Sequence, residues 1–251
     1  MIQFSREDGL LQMRLQRPDK MNAMTGDMYL AMAEQLLQAQ SDESVRAILL
    51  CSEGDHFCAG NDMGDFARIA KSAGDDPDPA EFPPVHLLHA LVDNQVPMLA
   101  AVRGNAVGIG LTLLLHCDLV VCARDARLQT PFVDLGLVPE AGSSRLMPQR
   151  FGRAVASELL LLGAPISGQR AYEIGLCNRV VDAAEVDEAA LGMARLLAQK
   201  PPQALRASRA LLQEDAGELH QLIDRELKVF FRHLKSPESA RSMQTFFQRK
   251  P

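Results

Sequence analysis

The chain has 251 residues, is 47% hydrophobic and 23% charged, and carries a formal charge of -6 at pH 7. That is the composition of an ordinary globular protein, long enough to bury a substantial core in one or two domains. The negative balance argues against nucleic acid as the main partner, although local lysines and arginines can still hold an anion.

In chain order, residues 2–6 and 10–15 read as two strands joined at Asp8-Gly9, a strong hairpin turn. Met1-Ile2-Gln3-Phe4 alternates like a strand and lacks a signal-peptide pattern, and no apolar run is long enough to span a bilayer. No membrane association and a cytoplasmic location are therefore expected. Arg17 to Ala23 is a loop, after which Thr25 can cap a helix to about residue 40 with Met28, Met32, Leu36 and Leu37 near one face. Buried strands are expected at 45–51, 98–102 and 118–122. The acidic, proline-rich stretch 71–84 reads as a surface loop with no regular element. Strands alternating with helices predict an α/β core with mainly parallel pairing. Past residue 184 the pattern turns helical at 185–199, 203–214 and 216–233, with Pro201-Pro202 separating the first two. The chain thus divides into a core, 1–184, and a helical region, 185–251. The apolar side of 216–233 either packs on its own core or covers a neighbouring subunit.

Five cysteines (Cys51, Cys58, Cys117, Cys122, Cys177) are odd in number and lie in apolar contexts, which predicts buried free thiols in a reducing compartment. No C-x-x-C pair occurs, and His86 and His89 lack a second ligand pair, so no metal is expected. Gly104, Gly108 and Gly110 fail the G-x-G-x-x-G spacing, which removes a nicotinamide site.

Two segments carry the chemistry. His56-Phe57-Cys58-Ala59-Gly60-Asn61-Asp62 and the run from Arg103 to Ser144 each place small residues where a strand ends, letting backbone N–H groups approach a ligand. Ile109, between Gly108 and Gly110, stands where a loop gives way to a helix over 111–116. A helix N-terminus offers free N–H groups and the positive end of a dipole. Donors from two loops can hold a developing oxyanion, although the same glycines would also serve tight helix–sheet packing. Glu140 follows in an apolar, glycine-rich turn. It suits a base in enolate chemistry, or a first-turn acid on a helix beginning near Ser143.

The hairpin, the Arg17-Pro18-x-Lys20-x-Asn22-Ala23 loop, FCAGND, the Gly-x-Ala-x-Gly-x-Gly segment and the helical tail occur in the order and spacing of the crotonase (enoyl-CoA hydratase/isomerase) superfamily. The chain resembles that family over essentially its full length. The resemblance implies a spiral of β-β-α units, an acyl-CoA thioester as ligand, and assembly as a homotrimer or dimer of trimers through the C-terminal helices. It further implies an oxyanion hole from the backbone N–H groups of Ala59 and Ile109. Coenzyme A contacts fall at Lys20, Asn22, Ala23, Asp62 and Met63, and an acyl pocket at Phe66, Thr112, Phe132 and Leu137. Lys20 would face the phosphates or remain a solvated loop lysine. Arg249 and Lys250 would approach a phosphate or simply be solvated.

The two glutamates that hydratases of this family use are replaced by Thr112 and by Phe132 after Pro131. Glu140, after Thr130-Pro131-Phe132, resembles the single base of the Δ3-Δ2-enoyl-CoA isomerase branch. The expected activity is conversion of a 3-enoyl-CoA to a 2-enoyl-CoA in fatty acid β-oxidation. Coenzyme A is then part of the substrate, and no separate cofactor is called for. Thioester hydrolysis, isomerisation of a ring-derived acyl-CoA, weak hydratase activity and a non-catalytic CoA-binding scaffold are the alternatives.

Overall fold

A computed structural model describes residues 1–65, 68, 82–213 and 215–248. Strands β1 (Ile2–Glu7) and β2 (Leu10–Leu15) form the expected antiparallel hairpin. Asp8 and Gly9 both take positive φ there, 49° and 79°, the twist a two-residue hairpin loop needs. Strand β2 then pairs in parallel with β3 (Ala47–Ser52), which begins a run of parallel neighbours. The six-stranded sheet continues through β4 (Met98–Val102), β6 (Leu119–Ala123) and β9 (Arg179–Val181). Every residue of β3 and β4 is buried, as continuous apolar runs in a parallel sheet require. A smaller sheet joins β5 (Asn105–Val107), β7 (Arg127–Gln129) and β8 (Ile166–Ser167).

Helix α1 (Gly26–Ser41) is capped by Thr25, whose side chain accepts from Met28 N at 3.4 Å. It buries Met28, Tyr29, Met32 and Leu36, whereas Leu37 turns outward and is 56% exposed. Position 37 lies about 100° round the helix from 36, so the apolar stripe passes it by. Residues 71–81 of the expected loop lie outside the described residues. Pro83 and Pro84, counted in that loop, instead open helix α2 (Pro83–Asp93), because a proline lacks only an N–H that the first turn leaves unpaired.

Helix α3 (Ile109–Thr112) starts two residues earlier than expected and tightens into a 3-10 turn over Leu113–His116. Helices α4 (Ser143–Phe151), α5 (Arg153–Leu161) and α6 (Gly168–Glu173) follow. The helical region holds α7 (Val186–Ala198), α8 (Pro202–Leu212), α9 (Ala216–Leu234) and α10 (Pro237–Gln248). The last of these was not anticipated. Helix α7 packs on β3, β4 and β6, and one apolar core runs across residue 184. Leu219, Leu222, Ile223, Leu227, Phe230 and Phe231 of α9 are buried within this chain, which decides for packing on its own core. All five cysteines are free and buried. Among the described residues, no helix is long and apolar enough to cross a membrane, and no group of three or more His, Cys, Asp or Glu could hold a metal.

Candidate active site

A cavity of about 490 Å³ opens between the 59–64 segment, the start of α3, the 131–137 turn and the C-terminal helices. Its two key walls are zipped together by backbone bonds. Phe57 N donates to Arg103 O, Cys58 N to Asn105 O and Val107 N to Cys58 O, at 2.8, 2.9 and 2.9 Å. Cys58 is thereby paired in parallel with Ala106, and a few residues further on Asn61 and Ile109 line the same cavity. Past this pair Gly60 (φ 100°) and Gly108 (φ 56°) turn both strands out of the ladder. Gly110 permits the closeness: a Cβ there would stand 2.6 Å from Cys58 O.

This register corrects one donor. Ala59 N–H, expected in the oxyanion hole, donates to Met21 O at 2.9 Å. Asn61 N–H, two residues on, finds no acceptor among the described residues, because the Met24–Asn61 bridge uses Gly60 O and Asp62 N. Ile109 N–H, at the first position of α3, is likewise left without an intrahelical partner. Both residues line the cavity. The Asn61 side chain is fixed from behind by buried Tyr29, whose hydroxyl donates to Oδ1 at 2.6 Å.

Glu140 is 6% exposed, and its Oε1 accepts the Thr112 hydroxyl at 2.5 Å. Burial pushes its carboxyl up from 4.5 to about 8, against the Thr112 hydrogen bond and with the help of the Glu226 charge. Thr112 is fully buried, so it does not wall the acyl pocket as expected but holds Glu140 instead. It stands three residues after Ile109, a rise of roughly 5 Å along the helix. One short helix therefore carries both an unpaired amide and the donor to the carboxylate. The half-buried His116 Nε2 lies 2.9 Å from Ala141 O and, facing a carbonyl, must donate. Burial pushes that imidazole down to about 4, leaving it neutral.

The helix-capping role open to Glu140 belongs to another carboxylate. Glu226, on α9 and 8% exposed, accepts from Gly142 N at 2.7 Å, from Ser144 N at 3.1 Å and from the Ser144 hydroxyl. Sequence reasoning passed over Glu226. Its signal was a charged residue in register with Leu222 and Phe230, four residues either side, on a strongly apolar face.

Of the remaining expected residues, Lys20, Ala23, Asp62 and Met63 line the cavity at one end, with Phe132 and Leu137 also in its wall. Lys20 is exposed at the rim. Burial would raise the Asp62 carboxyl, but Arg17 at 3.0 Å and two backbone amides outweigh it and hold it below its usual range. Asn22 does not reach the cavity. It is fully buried, accepting from Arg17 N and donating to Glu53 O and His56 O, so it pins the loop that carries Lys20. Phe66, Arg249 and Lys250 lie outside the described residues. Phe230, Met243 and Phe246, from α9 and α10, complete the wall and had not been anticipated.

The enoyl-CoA hydratase/isomerase family model matches residues 5–251. The chain belongs to this family, the crotonase superfamily, whose members bind acyl-CoA thioesters. It is 37% identical over 198 residues to 1,2-epoxyphenylacetyl-CoA isomerase of Escherichia coli K12, covering 78% of this chain and 75% of that one. It is 30% identical over 251 residues to enoyl-CoA delta isomerase 2 of Rattus norvegicus, spanning all of this chain and 64% of the longer relative. The solved structure of Pseudomonas aeruginosa OdaA superposes with a TM-score of 0.91 at 43% identity, over 99% of each chain.

Proposed function

We propose that this crotonase moves the double bond of a 3-enoyl-CoA into conjugation, with Glu140 as the only proton carrier. The observation that supports it most is the state of Glu140: buried, raised to about 8, and held by a threonine at one of the two positions where a hydratase would carry a glutamate. The thioester carbonyl accepts from Asn61 N–H and Ile109 N–H, which makes the C2 proton acidic. Ionised Glu140 takes that proton; the C–H pair moves into a dienolate whose negative oxygen the two amides hold. The protonated Glu140 then delivers its proton to C4, leaving the double bond between C2 and C3. Each preorganised amide is worth roughly 3–4 kcal/mol to such an intermediate. Pro131, Phe132, Leu135, Leu137 and Phe230 surround the acyl chain and exclude water, while the rim at Lys20 receives the phosphates and Ala23, Asp62 and Met63 the pantetheine and adenine. Exposed Leu161, Leu162, Leu211 and Leu212 support assembly into a trimer or a dimer of trimers.

The 37% identity to 1,2-epoxyphenylacetyl-CoA isomerase favours a second reading, in which the same amides and Glu140 act on a ring-derived acyl-CoA. The deciding experiment offers 3-enoyl-CoAs of short and long chain and follows the ultraviolet absorbance of the conjugated thioester in wild type and Glu140→Gln. A rise in wild type that collapses in the variant supports the isomerase. Free thiol without conjugation would replace it with hydrolysis, and neither signal would leave a ring-derived substrate or a CoA-binding scaffold.

A further inference from the structure

Helix α9 does more than cover the core. Glu226 reaches from it to three donors in the 142–144 segment, immediately after the base. One turn further along α9, Phe230 lines the cavity that Leu137, three residues before Glu140, also lines. The turn itself is under tension: Ala141 holds φ at 61°, a region non-glycine side chains rarely adopt, with Gly142 at 72° after it. Such a conformation persists only when its surroundings over-determine it, and here His116 holds Ala141 O while Glu226 holds Gly142 N.

We infer that Glu226 is the positioning residue for the Glu140 base, clamping the 140–144 turn to α9 so that base and acyl-cavity wall are held as one unit. The inference rests on the isomerase reading given above. All three partners of Glu226 are donors, so the carboxylate form satisfies them. A glutamine has one acceptor oxygen and would turn its amide hydrogens toward at least one of these donors. Among the described residues, the charged and titratable groups around the pair include the neutral His116 on Ala141 O. Glu226 faces Glu140 and the neighbouring Arg225; Glu140 faces Thr112, Glu226 and the buried Tyr29. Arg145 is engaged with Glu218 at 3.0 Å. Burial raises the Glu226 carboxyl while its hydrogen bonds from Ser144 and Gly142 hold it down, and in its ionised form Glu226 opposes ionisation of Glu140, which makes that carboxylate a stronger base.

The test compares wild type, Glu226→Gln, Ser144→Ala and Glu140→Gln on a 3-enoyl-CoA across pH. Glu226→Gln is expected to lower kcat at least tenfold with KM within about twofold, and to move the acid limb of the rate profile to lower pH. Ser144→Ala, which removes one donor and leaves the helix amides and the Glu226 charge in place, is expected to lower kcat by less and to leave the acid limb where it is. If Glu226→Gln does not fold, Ser144→Ala decides alone. A folded Glu226→Gln with wild-type kcat and pH profile, or a Ser144→Ala indistinguishable from wild type in that case, overturns the inference. Full activity in Glu140→Gln would instead overturn the base assignment itself, and the positioning role with it.

Discussion

Replacing Glu140 by glutamine should make the protein more stable while removing its activity, and the gain should depend on pH. The carboxyl is held at about 8 in the fold against 4.5 for an ordinary glutamate. A folded value above the unfolded one means that the native state holds its proton more tightly. The contribution to stability is therefore complete below pH 4.5 and is lost progressively as pH rises toward 8. At roughly 1.4 kcal/mol per pH unit, the loss amounts to roughly 3 kcal/mol at pH 7 and roughly 5 at its full extent. Glutamine is neutral at every pH and its Oε1 still accepts the Thr112 hydroxyl, so the variant escapes the loss. For a chain of this size that corresponds to a melting temperature higher by several degrees, at about 2–4 °C per kcal/mol. Urea unfolding of wild type and Glu140→Gln from pH 4 to pH 9 measures it directly. The two curves should meet near pH 4, diverge through neutrality and run parallel above pH 8. A difference that stays constant with pH would rule this out, because the carboxyl would then be unperturbed by burial.

Thr112→Val deletes the hydroxyl that favours the ionised form of Glu140. The acid limb of the rate profile should move to higher pH, the opposite of the shift expected for Glu226→Gln, and stability should fall by about 1–3 kcal/mol for the buried oxygen left unpaired. Replacing the Asn61 backbone N–H by an ester oxygen should reduce kcat about 10²–10³-fold, whereas the same replacement at Ala59 should weaken only its bond to Met21 O. Equal losses at both positions would contradict the assignment of Asn61 N–H, and not Ala59 N–H, as the free donor. Gly110→Ala should disrupt the cavity, since its Cβ would meet the Cys58 carbonyl at 2.6 Å; acyl-CoA binding by calorimetry checks this.

Local pattern made much of the architecture readable in advance. Asp8-Gly9 announced the hairpin, Thr25 its helix, and the apolar run at 98–102 became β4 without adjustment. The 140–144 turn also drew attention in the sequence, because Glu140 is a lone carboxylate among small and apolar neighbours, and the fold buries it there. What escaped was set by contacts distant in sequence. Whether Ala59 or Asn61 offers a free amide depends on where Met21 O lies, and nothing in FCAGND encodes that. Glu226 caps a helix more than eighty residues before it, so its role emerges only when α9 folds back over the core. Thr112 looked like cavity wall because its position was known but its direction was not; the helix turns it inward to Glu140.

In the proposed reaction one carboxyl carries a proton from C2 to C4 of a 3-enoyl thioester, and substrate deuterated at C2 exposes that transfer. In a single turnover of the wild-type protein, the conjugated product should carry deuterium at C4, transferred by Glu140 faster than it exchanges with solvent. Product formed with only solvent protons at C4 would contradict the single-carboxyl mechanism.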